Sequence, residues 1–147
     1  MDERDLDLRN LTYHLFVERG RAPTAAEVAG EAGLPPGEVA AAWRRLHDEH
    51  ALVLDEATAE LRMANPFSAV PTPHRVHARA RWWYANCAWD AFGICAALQE
   101  DGRIATSCPD CREAITIELR GGRPNREGLI FHCLVPAAGW WDDVVFT

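Results

Sequence analysis

The segment Asn65-Pro66-Phe67-Ser68-Ala69-Val70-Pro71-Thr72-Pro73 sets the plan of this 147-residue chain. Its three prolines fall within eight residues. Each fixes φ, lacks an amide donor and biases the residue before it away from helix, so the segment is expected to be an extended strap. Helical periodicity precedes it and strand periodicity follows. The chain therefore reads as residues 1–65, a strap and first strand at 66–80, and a second structured part at 81–147.

Before the strap, Leu6, Leu8, Leu11, His14, Leu15 and Val17 form an amphipathic stripe that stops at Gly20. Thr24 followed by Glu27 is a capping box, which predicts a short second helix ending near Gly33. Pro35-Pro36 opens a third, in which Val39, Trp43 and Leu46 share a face. Ala51–Leu54 and Ala59–Met63 read as two strands around a turn. Three helices with a small β-wing make a winged helix-turn-helix-like unit. The whole chain is expected to be α+β, with a small mixed sheet and one central helix in the second part.

A winged helix suggests DNA binding through its third helix, but the charge argues against it. Residues 1–65 hold 7 Arg against 13 Asp and Glu, and the remainder 8 against 9. The third helix offers only Arg44 and Arg45, too few for a surface that must neutralise phosphates. A packing role or a homodimer contact is the expected use, and DNA is not an expected partner. With 48% hydrophobic and 25% charged residues the chain is not disordered. No apolar run approaches the roughly 18 residues of a membrane span. The acidic start Met1-Asp2-Glu3-Arg4-Asp5 is no signal peptide. A cytoplasmic location follows, in which the five cysteines stay reduced.

After the strap comes a short strand, His74–His77. Residues 82–98 form an apolar run read as a helix carrying Trp82, Trp83, Cys87, Trp89, Asp90 and Cys95. Three strand-like runs follow: Arg103–Ser107, Ala114–Leu119 and Gly128–Val135. In the second, Ile115, Ile117 and Leu119 alternate with Thr116, Glu118 and Arg120, which puts one face on a core. Gly121-Gly122 turns between the second and third runs, and Trp140–Thr147 reads as a final strand.

Two constellations carry chemistry. Cys87 and Asp90, three apart on a helix, project from one face. A thiol beside a carboxylate can pass its proton to the acid and take it back, and burial would raise both pKa values. The competing reading is a structural Cys beside a surface Asp. Cys108-Pro109-Asp110-Cys111 is the second. C-x-x-C is half of a zinc site, with His132 or Cys133 as the nearby additional donors. Adjacent strand residues face opposite ways, so at most one of these joins. Structural or soft-metal thiols are the alternative, since thiolates select ions such as Hg(II), Cu(I) and Zn(II). His74 and His77 read as solvent-facing, Cys95 as core, and Trp140-Trp141-Asp142-Asp143 as a pocket wall or an interface.

The strap Asn65–Thr72, followed by Trp83-Tyr84-Ala85-Asn86-Cys87-Ala88-Trp89-Asp90, resembles the organomercurial (alkylmercury) lyase family over almost the whole chain. The resemblance implies protonolysis of a carbon–mercury bond and a role in mercury resistance. Cys87 would bind the metal, a second thiol would add to it, and Asp90 would protonate the departing carbon. The bound product would be Hg(II), removed by low-molecular-weight thiols with no added cofactor. Cys108 matches a cysteine regarded as structural, and the family's N-terminal domain is not a DNA reader. The family's second catalytic Cys falls near Phe146-Thr147, where this chain has none. Cys133, or failing that Cys95, then stands in, giving Cys87, Asp90 and Cys133 as the catalytic set. Cys87, Cys133, Cys108 and Cys111 are the metal-binding thiols. The alternative is a non-catalytic thiol-rich module that binds a small organometallic or other thiol-reactive ligand.

Overall fold

A computed structural model of the chain describes residues 2–144. Four helices and two antiparallel sheets make up an α+β fold. The first helix, α1 (Glu3–Arg19), is capped by Asp2 and stopped by Gly20 at a left-handed φ of 71°. Its inner face differs from the expected stripe. Leu6 and His14 are exposed, while Asp5, Leu8, Thr12, Leu15 and Phe16 are buried. The polar members are satisfied: Trp43 Nε1 donates to Thr12 Oγ1 at 3.0 Å, and Arg45 grips Asp5 through Nε at 2.8 Å and Nη2 at 2.6 Å.

Helix α2 (Ala25–Ala32) has the full capping box of Thr24 and Glu27 and ends at Gly33. Helix α3 (Pro36–Asp48) begins with Pro36, whose missing amide costs nothing in the first turn, and buries Val39, Ala42, Trp43 and Leu46. The first sheet comprises β1 (Val53–Leu54), β2 (Leu61–Ala64) and β3 (Phe67–Ser68), in that order. Its third strand comes from the strap: a two-residue turn, Asn65-Pro66 with a cis peptide bond, returns the chain so that Phe67 pairs with Ala64.

The second sheet runs β5-β4-β6-β7-β8, from β4 (Arg75–Ala78), β5 (Arg81–Tyr84), β6 (Gly102–Ser107), β7 (Ala114–Arg120) and β8 (Arg123–Pro124). Every pairing is antiparallel, which corrects the expected mixed sheet. Strand β4 lies between β5 and β6, so the two strands joined by helix α4 (Ala88–Leu98) run the same way without touching. Ala91, Ile94, Cys95 and Leu98 form the buried face of α4 over β4 and β6. Cys95 is core, as expected.

Three expected elements differ. Trp82 and Trp83 lie on β5, so the run from residue 82 is a strand, a turn and then α4. Gly121 and Gly122, at φ 56° and 74°, make the expected turn, but the strand after it is only Arg123–Pro124. Pro124 has no amide to extend the ladder. Asn125 then takes the next backbone pair, accepting from Glu118 N–H through Oδ1 and donating its own N–H to Glu118 C=O, both at 2.9 Å. Residues 128–135 are consequently irregular, with Leu129, Ile130, Phe131 and Leu134 exposed. In the last stretch, a 3-10 turn at Ala137–Gly139 precedes the expected final strand, whose described part, residues 140–144, forms turns and not a strand. Trp140 Nε1 donates back to Val135 C=O at 2.7 Å, and Trp141 stacks on His50 at 4.1 Å. The last three residues of that expected strand, 145–147, lie outside the described ones.

One contiguous core links the two halves through the strap. Phe67 is 1% exposed and sits between Phe16 of α1, at 5.3 Å, and Trp83 of β5, at 5.4 Å. Trp83 satisfies its indole on Ala78 C=O at 3.0 Å. Arg81 completes the join by donating to the Glu18 carbonyl near the end of α1 at 2.7 Å. Among the described residues no helix is long and apolar enough to cross a membrane.

Candidate functional site

The strap also fixes the start of α4. An isolated bridge pairs Phe67 with Ala85, and Ala85 is tied to the strap through Thr72 Oγ1, which donates to its carbonyl at 2.6 Å. Two residues later Cys87 is extended, with φ −144° and ψ −179°, and caps α4. Its Sγ accepts the Asp90 amide at 3.4 Å, a sulfur version of the usual Ser or Asp cap. Cys87 and Asp90 are therefore N-cap and third residue of the helix, not two interior positions. That arrangement still turns both side chains to one place.

Burial decides the electrostatics of the pair. Both residues are half-buried, and desolvation pushes the Cys87 thiol above its ordinary value, outweighing the Asp90 amide that donates to it. Desolvation likewise lifts the Asp90 carboxyl, against smaller opposing effects from the Asn86 and Cys87 side chains. A thiol and a carboxyl thus face each other, each biased toward its protonated form.

Three residues that the sequence reading did not single out converge here. Asn86 Nδ2 donates to Asn65 Oδ1 at 2.8 Å, tying the residue before the cap to the strap. Its own Oδ1 is buried and has no hydrogen-bond partner among the described residues. Tyr13 reaches in from α1, donating to Asn65 C=O at 3.0 Å. Burial raises its phenol, and the charge of Asp90 adds to that rise. Only the Asn65-Pro66 strap motif hinted at this convergence. Gly93, one turn beyond Asp90, explains how closely the strap packs: a Cβ there would lie 3.1 Å from Pro66 Cβ.

The remaining candidates lie apart. Cys133 is exposed on the irregular segment, two residues beyond Phe131, whose ring lies 5.9 Å from that of Trp89 in the first turn of α4. Cys108 follows the end of β6 and, with Cys111, occupies the turn into β7. The amides of Cys111 and Asp110 and the Cys111 thiol hold the Cys108 thiol below its ordinary value. Among the described residues no group of three or more His, Cys, Asp or Glu side chains is placed to hold a metal ion. His74 is less solvent-facing than expected: it is half-buried, its Nδ1 lies 2.8 Å from Thr106 Oγ1, and burial lowers its pKa. His77 is exposed, as expected, beside the Trp82 ring.

Comparison with known proteins agrees with this architecture. Among solved structures, the mercury-bound form of MerB2 superposes with a TM-score of 0.68 at 23% sequence identity, over 86% of this chain and 60% of that one. The likeness is one of fold, and the present chain spans less than two thirds of that protein's length. No curated protein matches in sequence. The family model described as MerB, alkylmercury lyase, matches residues 67–147, from the strap's own strand through the Cys87 and Asp90 pair to the last residue. That is more than half of the sequence, and the chain belongs to the alkylmercury lyase family.

Proposed function

We propose that this protein cleaves carbon–mercury bonds by protonolysis, with Cys87 and Asp90 as the reacting pair. The observation that carries the reading is their placement at the start of α4, half-buried, with both acidities suppressed by burial. An organomercurial R–Hg–X meets the Cys87 sulfur; an S–Hg bond forms, X leaves, and the thiol proton passes to the Asp90 carboxylate. A second thiol then adds to mercury as its thiolate, its proton passing to solvent, and raises the electron density on carbon. The Asp90 carboxyl returns its proton to that carbon, the C–Hg bond breaks, and R–H departs. Hg(II) is left on two sulfurs, from which low-molecular-weight thiols remove it. A carboxyl of raised pKa suits both halves of this exchange, because it accepts a proton readily and still gives it up.

Cys133 is the second thiol in this reading, supported by the Trp89–Phe131 contact that draws its segment toward α4. The same two rings offer an apolar wall to the organic group. Residues 1–65 act as a winged-helix-like packing unit. Arg45, one of two arginines on α3, is already committed to Asp5, which fits a helix that does not read DNA. The compartment is the cytoplasm.

Reduced protein incubated with phenylmercury and excess glutathione should release benzene. Cys87→Ser should abolish release, and Cys133→Ser should slow it while leaving the first mercury–sulfur bond intact. Mercury bound without benzene, or equal rates in wild type and Cys87→Ser, would overturn the proposal.

A further inference from the structure

The turn from β6 to β7 carries a second pair of thiols that the Cys87 site does not use. Its backbone is closed twice: Cys108 N–H donates to Glu113 C=O at 2.9 Å, and Arg112 N–H to Cys108 C=O at 3.0 Å. Arg112 adopts a left-handed φ of 64°, which turns the chain back into β7. The bond from Arg112 closes residues 108–112 into one turn that carries both sulfurs, three residues apart. Pro109, with its fixed φ, stiffens the turn. Cys108 is half-buried and Cys111 exposed.

We infer that Cys108 and Cys111 form a chelate for one thiophilic cation that binds two thiolates, with Hg(II) as its probe. The donor set selects this class. Zinc at a structural site takes four ligands, and among the described residues no third His, Cys, Asp or Glu, neighbouring Asp110 included, is placed to complete a metal-holding group with the pair. Soft d10 ions such as Hg(II) are satisfied by two sulfurs and prefer thiolate over nitrogen or oxygen. Capture forms two S–Hg bonds and releases the thiol protons to solvent, with no change of oxidation state. The site stands on its own turn and needs neither Cys87 nor turnover.

The test uses the full chain carrying Cys87→Ser, which removes the other reactive pair. Reduced protein receives one equivalent of HgCl2, is exchanged against excess glutathione, and is then alkylated and mapped by mass spectrometry. Cys108 and Cys111 should be protected while Cys133 is alkylated. Cys133→Ser should retain the metal. Cys111→Ser, an exposed change whose folding circular dichroism checks, should lower mercury retention at least about tenfold, because the second sulfur then binds from solution instead of from the same turn. Protection of Cys133 in place of the pair, or undiminished retention in folded Cys111→Ser, would overturn the inference. So would zinc held at one equivalent against the same glutathione.

Discussion

Backbone amides favour the charged form of both Cys87 and Cys108, yet their acidities move in opposite directions. Cys87 caps a helix held between the strap and the second sheet, and there desolvation outweighs the amide contact. Cys108 lies in a hairpin turn near solvent, where desolvation is minor and the amides win. The same local contact therefore yields a protonated thiol in one place and a more acidic one in the other. What differs is the surrounding protein. The Cys87 environment is assembled from α1, the strap, β5 and α4, whereas the Cys108 environment is contained in one turn.

The comparison breaks first where the assembled site is dismantled. Phe67→Ala removes the ring between Phe16 and Trp83 and should cost about 3–5 kcal/mol in urea unfolding, as for other buried aromatic truncations. In the fraction that stays folded, Cys87 alkylation should accelerate while Cys108 alkylation holds steady. Equal acceleration at both would mean that the Cys108 turn also depends on the core. In the intact protein near pH 7, Cys108 should react with iodoacetamide at least about tenfold faster than Cys87, as its greater thiolate fraction requires. Peptide mapping at a series of pH values checks this, and the Cys87 profile should be displaced to higher pH than that of Cys108.

Carboxylates sharpen the contrast through stability. Asp90 has a raised folded pKa, so its favourable contribution is complete below the unfolded value and is lost as pH rises through the folded one. Asp90→Asn should therefore match wild-type thermal stability in acid and exceed it near neutrality. Asp5, lowered chiefly by its hydrogen bond from Arg45, has the opposite sign: its contribution is present above the unfolded value and is lost as pH falls through the folded one. Asp5→Asn should lower the melting temperature at neutral pH and converge with wild type in acid. Tyr13→Phe should have the smallest effect, a few-fold loss of benzene release, since it deletes one hydrogen bond to the strap worth about 1 kcal/mol.

Local signals in the sequence carried much of this fold. Thr24 with Glu27, Pro36 and Gly20 mark helix ends by chemistry that neighbouring residues alone dictate. The alternation along β7 works in the same way. The run from Trp82 to Leu98 misled because it is apolar throughout, and its break depends on Cys87 capping through sulfur, an atom not ordinarily read as a cap. Residues 128–135 look like a strand because Leu129, Ile130 and Phe131 are apolar, but Asn125 and Pro124 end the ladder before they reach it. At the candidate site the pairing of Cys87 with Asp90 was legible from spacing. The approach of Tyr13, Asn65 and Asn86 was not, because it joins residues 52 apart, as Tyr13 and Asn65 are, and depends on the folded strap.

The central claim is that Asp90 is the proton donor to carbon, and one experiment addresses it directly. Phenylmercury is bound to wild type and to Asp90→Asn, metal loading is quantified, and benzene release is followed in a single turnover. Both proteins should load mercury on Cys87, and release from Asp90→Asn should fall by about 10²–10⁴-fold, the usual contribution of a positioned general acid. Release at the wild-type rate from fully loaded Asp90→Asn would contradict the account.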